Sequence, residues 1–227
     1  MAVVCGCGDD AGVALDAPPV PTPAVTVTAP RLNEAFYMTD VARIEWQAVD
    51  FGAAVSCTVT ASDGTTMVPI ATGVTTGSAM WTLTAIPAAT TYSATVTCTD
   101  AEQQTVATAS GEFAVTGPAQ AVSFATQILP LLTTCTGGSC HDDSGPQQGL
   151  ELSPAVAHAS LVGVASRECP TTQLVDPGDP HASYFLFKLR GNGPCMTGTR
   201  MPRGAPALTL AQLVLVRDWI TNGAPNN

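Results

Sequence analysis

The chain has 227 residues, of which 45% are hydrophobic and 11% are charged, and its formal net charge is −10. This length accommodates two ordinary domains or one large domain. The basic residues form no stripe that could neutralise a row of phosphates, which argues against nucleic-acid binding. The 8 cysteines indicate an oxidising compartment, or the attachment of a metal or cofactor.

The N-terminal residues resemble the end of a bacterial lipoprotein signal peptide. An aliphatic residue, Val4, is followed by two small residues and then by Cys7, the position that is lipidated in lipoproteins. Residues 8–23 are rich in Pro, Ala and Asp without periodicity, which predicts a tether. A charged segment and a long apolar segment do not precede the motif. Two alternatives stay open: a lipid anchor at Cys7 from a truncated signal, or a frayed end with free thiols at Cys5 and Cys7.

Short runs of alternating apolar and polar residues extend from Ala24 to about Gly117. Such alternation with a period of two predicts half-buried strands. Seven runs occur, near residues 24–29, 41–49, 54–62, 67–72, 79–86, 90–100 and 105–116. This number of short strands over one domain length predicts an antiparallel β-sandwich.

This segment resembles fibronectin type III domains, and immunoglobulin-like domains fit nearly as well. The stretch from Ile86 to Tyr92 is similar to the corner before the sixth strand of fibronectin type III domains, and Trp46 lies where they keep a core tryptophan. Cys57 and Cys98 share the inward parity of their runs, so we expect a disulfide that stabilises the sandwich by about 2–4 kcal/mol. Two buried free thiols are the alternative. The segment gathers no ionisable groups for chemistry, which favours a spacer or an interaction module.

In the C-terminal half, the apolar residues take the spacing of helices. A first helix is predicted near Phe124, and Pro130 is expected near its end or at a kink. A last helix is predicted to begin at the N-cap Thr209 and to end at an Asn-Gly pair, with a short helical run near residues 184–189 between them. Residues 118–227 are therefore predicted to form a small, loop-rich, mainly α domain.

The most informative motif is Cys-Thr-Gly-Gly-Ser-Cys-His, which places Cys135, Cys140 and His141 together. Covalent haem attachment needs two thiols for the two vinyl groups and a histidine directly after the second thiol, whose imidazole reaches the iron. The common spacing has two residues between the cysteines, whereas this motif has four. The two glycines would allow the longer loop to form. The motif therefore predicts a haem c site.

The C-terminal half resembles small secreted c-type cytochromes from Phe124 to Pro225. The similar segments are the Cys-Cys-His motif, the Met-Pro pair at Met201 and a final helix that contains Trp219. The resemblance implies one covalent haem c, with His141 and Met201 as the two iron ligands. It also implies that the first and last helices cross near Phe124 and Trp219.

An imidazole and a thioether on the two sides of the iron would leave no open coordination position, which favours electron transfer and not catalysis. Cys169 and Cys195 flank the loop before Met201, so a disulfide between them would hold that residue in place; two free thiols are the alternative. Eight apolar residues are expected to wall the haem crevice, although each of them is also ordinary core: Leu129, Leu150, Leu152, Tyr184, Phe185, Leu186, Leu189 and Leu208.

Other ligands and other chemistry remain as alternatives. Met196 is the second choice for the distal ligand, because no proline follows it, and His158 or His181 could also reach the iron. A copper site would use the same residue types, but the cysteine does not lie close before a His and a Met in one loop. Hydrolase motifs, such as a Gly-x-Ser-x-Gly elbow or His-Glu-x-x-His, do not occur.

The sequence thus predicts a multidomain chain with a lipobox remnant and tether (1–23), an all-β fibronectin III or Ig-like sandwich (24–117) and a mainly α, cytochrome c-like haem domain (118–227). We expect an extracytoplasmic lipoprotein on the periplasmic or cell-surface side of the envelope that transfers single electrons and is not an enzyme. Its expected partners are a redox protein and a larger envelope assembly, with membrane contact only through Cys7. The alternative is a haem-free surface lipoprotein, stapled by a Cys135–Cys140 disulfide, with a binding or structural role.

Overall fold

The structure is a computed structural model that describes residues 21–86, 90–136 and 140–227. The predicted lipid-anchor cysteines Cys5 and Cys7, and most of the predicted tether, lie outside the described residues. The same is true of residues 87–89 in the predicted fibronectin-like corner and of residues 137–139 in the Cys-Cys-His motif. Among the described residues, no helix is both long enough and apolar enough to cross a membrane.

The first part of the described chain is a β-sandwich. Its strands are β1 (Ala24–Ala29), β2 (Ala35–Tyr37), β3 (Val41–Val49), β4 (Ser56–Ser62), β5 (Met67–Val74), β6 (Ser78–Thr82), β7 (Thr90–Thr99), β8 (Thr105–Ala109) and β9 (Phe113–Thr116). One sheet has the order β1-β3-β6, and the other has the order β2-β9-β7-β4-β5, with β8 paired to β7. All pairs are antiparallel except β2 with β9, which is parallel.

The predicted alternation holds in the centre of the sandwich. Ile44 and Trp46 of β3, and Val59 of β4, are buried, as are the inward positions of β7 from Tyr92 to Cys98. These side chains belong to one hydrophobic cluster that both sheets contribute to. Alternation alone placed Ala48 inward as well, but it is exposed, as are the residues on both sides of it at the end of β3.

Two sequence predictions of strand bounds were wrong. β2 was not predicted, because three residues are too few to show a period. The run 105–116 is two strands, since the chain is interrupted at Gly111, where a Cβ would come within 2.7 Å of Leu32. The interruption lets β8 pair with residues 95–99 of β7, and β9 with residues 90–92.

The predicted disulfide between Cys57 and Cys98 is present. The two cysteines face each other in the pairing of β4 with β7, so the bridge lies within one sheet. A group of aromatic rings packs in the same core: Trp81 lies 5.5 Å from Tyr92 and 6.2 Å from Phe113, between ring centroids. Edge-to-face contacts of this kind stabilise beyond the area that they bury.

The second part, called here the helical region (residues 118–227), has short helices joined by long loops. A π-helical turn (Phe124–Ile128) leads into α1 (Leu129–Thr136), followed by α2 (Ala157–Leu161), α3 (Tyr184–Arg190) and α4 (Leu210–Thr221). Pro130 was predicted near the end of the first helix or at a kink, and it lies in the first turn of α1, where the π-helical turn passes into the α-helix. This change of hydrogen-bond pattern agrees with the second alternative, since proline cannot donate the backbone hydrogen bond of a regular helix.

The two ends of the helical region contact each other as predicted. The rings of Phe124 and Trp219 lie 5.4 Å apart. Thr209 caps α4 and forms a capping box with Gln212. Gly223 ends the helix in a left-handed conformation, with φ of 87°. Both helices therefore bury their apolar faces in one cluster that contains the core of this region.

A buried polar group joins the sandwich to the helical region. The Arg217 guanidinium lies 3.9 Å from the centre of the Tyr37 ring, donates to Thr116 Oγ1 at 2.6 Å and pairs with Asp218 at 2.7 Å. The Tyr37 hydroxyl lies 3.0 Å from the Asp218 carboxylate, which also accepts the Gln120 N–H at 3.0 Å. Because these partners come from both regions, α4 is fixed to the sandwich as well as to its own core.

Candidate functional site

A cavity of about 590 Å³ opens in the helical region. Cys135, Cys140, His141 and Met201, which the sequence singled out, all line it. They come from the end of α1, from the loop after it and from the loop before α4. The volume lies within the range of roughly 300–1,000 Å³ that is usual for small-molecule and cofactor sites.

His141 is held in one orientation by its neighbours. Its ring Nδ1 lies 2.9 Å from the carbonyl oxygen of Leu150, and its backbone joins Cys135 O at 3.1 Å and Leu152 N at 2.7 Å. A carbonyl oxygen can only accept, so Nδ1 carries the proton and Nε2 keeps its lone pair. This is the arrangement by which a protein fixes the tautomer of a metal-ligating histidine. His141 is also buried, at 8% exposure.

The two cysteines of the motif are not bonded to each other. Cys135 is buried near the end of α1, and Cys140 is exposed at the other side of the motif. Burial raises the pKa of the Cys135 thiol, and the nearby Cys140 acts in the same direction. The side chain of Cys135 therefore remains a thiol near neutral pH, in contact with the cavity.

Met201 is positioned through its backbone. Its N–H donates to the carbonyl oxygen of Lys188 in α3 at 2.8 Å. The Arg200 guanidinium donates to the carbonyl oxygens of Met201 and Ala205 at 3.2 Å each. The Met201 side chain is half-buried and packs against the core of the helical region. These bonds fix the loop that places Met201 in the lining of the cavity.

The predicted disulfide between Cys169 and Cys195 is present and is reinforced by a polar network. Lys188 Nζ lies 3.1 Å from Glu168 Oε2 and donates to Thr197 O at 2.9 Å. Glu168 is next to Cys169, and Thr197 is two residues after Cys195. Through its contacts with both, Lys188 links the same two segments that the disulfide joins. The loop that precedes Met201 is therefore anchored twice.

The three rival ligands lie elsewhere. His158 Nε2 lies 2.8 Å from the carbonyl oxygen of Ala224, and its ring packs against Phe124, so its role is structural. His181 is exposed near the contact between the helical region and the sandwich. Met196 packs in a small separate cluster with Cys169, Tyr184 and Phe187.

The predicted walls are correct in part. Leu150, Leu152, Tyr184, Phe185 and Leu189 line the cavity. Leu129, Leu186 and Leu208 pack in the core of the helical region and are not among the residues that line the cavity. Four charged side chains of the lining were not recognised from the sequence: Arg167, Glu168, Lys188 and Arg203. Arg203 directly follows the Met-Pro pair, but nothing in the sequence around Arg167 marks it.

The residues of the cavity fit a haem group. Two free thiols, an imidazole with its Nε2 available and a thioether line one space, together with apolar side chains such as Leu152 and Phe185 and with polar and charged ones. In the described part of the chain, no group of three or more His, Cys, Asp or Glu side chains is placed to hold a metal ion. The donor set of the cavity is thus one imidazole and three sulfur atoms, of which the thiols suit covalent attachment.

No protein-family model matches the sequence, and no curated protein is similar to it. The chain resembles fibronectin(III)-like modules of Clostridium thermocellum CbhA at 20% identity and a TM-score of 0.33, over 41% of this chain and 96% of that one. A Fn3-like protein from Clostridium thermocellum is similar at 18% identity and a TM-score of 0.27, over 45% of this chain and 99% of that one. An engineered protein is similar at 23% identity and a TM-score of 0.31. The matched part covers 43% of this chain and 21% of that protein. Similarities of this size establish no shared family, and the sandwich is established by its own strand pairing.

The two disulfides indicate that the protein folds in an oxidising, extracytoplasmic compartment. Each joins segments that are distant in sequence, with separations of 41 and 26 residues. Disulfides of this structural kind form and persist outside the reducing cytosol.

Proposed function

We propose that the helical region is a cytochrome c-like domain that holds one covalent haem c, and that the chain transfers single electrons. The observation that carries this proposal is that Cys135, Cys140, His141 and Met201 line one cavity, while His158, His181 and Met196 do not belong to it. The motif from Cys135 to His141 and the distant Met201 line the same cavity, which a chance sequence motif does not require.

Each residue has a separate task in this proposal. The Cys135 and Cys140 thiols attach the group through two thioether bonds, and His141 Nε2 binds the iron on one side. The Leu150 carbonyl holds the imidazole in the tautomer that this bond needs. Met201 supplies the second ligand, held by the Lys188 carbonyl and by the disulfide-anchored loop.

When bound, haem supplies an iron atom that gains or loses one electron. With His141 and Met201 both as ligands, no position would remain for oxygen or a substrate, which favours electron transfer over enzymatic catalysis. A thioether ligand would favour ferrous iron and raise the reduction potential relative to two histidines.

We further propose that the sandwich belongs to the fibronectin type III or Ig-like class and that the chain is anchored to the cell envelope through Cys7. Support for the class is the two-sheet arrangement with nine strands in the described part of the chain. Support for the anchor is the sequence from Val4 to Cys7. The electron is expected to pass to or from a redox protein of the envelope, within a larger assembly.

The proposal is tested by producing the full chain in a bacterial host that attaches haem c. The expected product is red, has a Soret band, and has one haem per chain that survives reduction and denaturation. In the Cys135→Ser, Cys140→Ser double variant the covalent haem is lost. A colourless product in which Cys135 and Cys140 are joined by a disulfide would contradict the proposal and support the haem-free surface protein.

The distal ligand is tested by two methionine variants of the haem-loaded chain. Met201→Ala is expected to abolish the spectroscopic signature of methionine-ligated ferric haem and to lower the reduction potential. Met196→Ala is the matched control, because this side chain packs in a separate cluster. The opposite result, with only Met196→Ala changing the spectrum, would show that the distal ligand has been assigned to the wrong methionine.

A further inference from the structure

The charges around the cavity do not cancel. Its lining contains Arg167, Glu168, Lys188 and Arg203. Glu168 and Lys188 pair with each other at 3.1 Å. In the part of the chain that the structure describes, neither arginine has a carboxylate within ion-pair distance. Both arginine side chains are exposed, so they line the cavity where it opens to solvent. Two unpaired guanidinium groups therefore stand at its mouth.

Both arginines lie beside segments that hold the predicted iron ligands. A Cβ atom on Gly149 would come within 2.5 Å of the Arg167 Cζ atom, so the guanidinium lies against the backbone of this glycine. The next residue, Leu150, supplies the carbonyl oxygen that orients His141. Arg203 lies two residues after Met201. One arginine therefore lies near the segment that orients His141, and the other lies near Met201 in the sequence.

We propose that Arg167 and Arg203 bind the carboxylate groups of the porphyrin, an inference that rests on the proposed function. A porphyrin with two propionate groups has an apolar body and an anionic edge. Leu150, Leu152 and Phe185 face the body, while the two guanidinium groups at the mouth match the edge. Guanidinium and carboxylate form short, charge-assisted hydrogen bonds, often in pairs.

Basic side chains outnumber acidic ones in the described lining of the cavity, which favours an anionic ligand there. Of the 8 basic residues, three line the cavity, and one of these is neutralised by Glu168. The remaining two basic residues, Arg167 and Arg203, can therefore offset the charge of an anionic ligand. Among the described lining residues, the one acidic side chain is Glu168, which is already paired.

The experiment compares iron protoporphyrin with its dimethyl ester, which has the same body but no carboxylates. Binding is measured by absorption in the Cys135→Ala, Cys140→Ala background of the full chain, where no thioether bond forms and binding is reversible. The wild-type arginines are expected to favour the free acid over the ester, by about threefold to tenfold for each arginine. Arg167→Gln and Arg203→Gln should each reduce this preference, and the double variant should remove it.

Arg43→Gln is the matched control, because Arg43 pairs with Glu45 at 3.2 Å on the exposed side of the sandwich. The preference for the free acid over the ester is also measured in the chain that keeps both cysteines, as the yield of covalent adduct. This second measurement tests the arginines even where reversible binding is weak. Equal binding or equal yield of acid and ester, unchanged in the arginine variants, overturns the inference but leaves the proposed function intact. Failure of both porphyrins to bind or attach overturns the proposed function, and the inference with it.

Discussion

The two regions of the molecule fill their interiors in different ways. In the sandwich, side chains from both sheets meet directly, and Trp81, Tyr92 and Phe113 close the centre with ring contacts of 5.5–6.3 Å. In the helical region, a cavity of about 590 Å³ lies beside the core. The helices that contribute to its lining, α1, α2 and α3, have 5 to 8 residues, and helices this short are marginal without tertiary support.

The two regions therefore differ in how their loops are held. In the helical region, a disulfide and an ion pair hold the segments that surround an open space, whereas the sandwich core is closed by its own side chains. A bound group that fills the space would contribute the contacts that the short helices lack. We therefore expect the stability of the helical region, and not that of the sandwich, to depend on haem.

The largest expected effect is the response of the two regions to loss of haem. The haem-loaded chain is compared with the Cys135→Ser, Cys140→Ser variant by hydrogen exchange with mass spectrometry. Exchange in residues 118–227 should become on the order of a hundredfold to a thousandfold faster, which corresponds to about 3–4 kcal/mol of lost ligand stabilisation. Exchange in strands β3, β4 and β7 should change by less than about twofold. A uniform change over both regions would show that the sandwich also depends on the ligand.

The two disulfides sharpen the same contrast. Cys57→Ala with Cys98→Ala should lower the free energy of unfolding of the sandwich by about 2–4 kcal/mol and leave the visible spectrum unchanged. Cys169→Ala with Cys195→Ala should cost about the same in the helical region and should also weaken methionine ligation, because it frees the loop before Met201. Chemical denaturation followed by tryptophan fluorescence and by haem absorption measures both effects. If the second pair left the spectrum unaltered, the ion pair between Glu168 and Lys188 would be sufficient to hold the loop.

The sequence predicted the parts of the molecule that follow a period or a local rule. The alternation around Ile44 and Trp46, the cap at Thr209, and both disulfides were found in this way, and the structure confirms them. β2 was missed because its pairing with β9 joins residues that are distant in sequence, and three residues show no period. No local rule could predict it.

The candidate site shows the same limit. The Cys-Cys-His motif and the Met-Pro pair are local, and they identified four of the residues that line the cavity. The hydrogen bond from His141 to Leu150 and the place of Arg167 depend on how the loops fold back. Likewise, Arg217 and Asp218 of α4 are buried against the sandwich, a contact that the periodicity of the helix does not reveal.

The contact between the two regions should respond to a single hydroxyl. Tyr37→Phe removes the group that lies 3.0 Å from Asp218 and 2.9 Å from Thr221, at a buried polar contact. The free energy of unfolding should fall by about 1–2 kcal/mol, because a buried carboxylate loses a donor. Exchange should quicken on both sides of the contact, near residues 35–37 and 217–222. Thr105→Val, which removes an exposed hydroxyl on β8, is the control, and a Tyr37 effect confined to the sandwich would argue against a coupled contact.

The smallest expected effect is a loss of sandwich stability in acid that the helical region does not share. Burial alone would raise the pKa of Asp100, but the backbone N–H groups of Gly52, Gln104 and Glu102 bond to its carboxylate and lower the pKa below the ordinary value of 3.8. Because the folded pKa is the lower one, the stabilisation is complete above the pKa of the unfolded chain and is lost as the pH falls through the folded pKa.

Asp100→Asn should therefore lower the denaturation midpoint of the sandwich at neutral pH and flatten its decline below about pH 4. Asp50→Asn is the control, since Asp50 is an exposed aspartate of the sandwich that directly follows β3. Hydrogen exchange with mass spectrometry follows the sandwich and the helical region separately. The measurement therefore shows in which region the stability falls as the pH is lowered. A decline of equal slope in both regions, unchanged by Asp100→Asn, would mean that acid acts on the contact between them, where the buried pair of Arg217 and Asp218 lies.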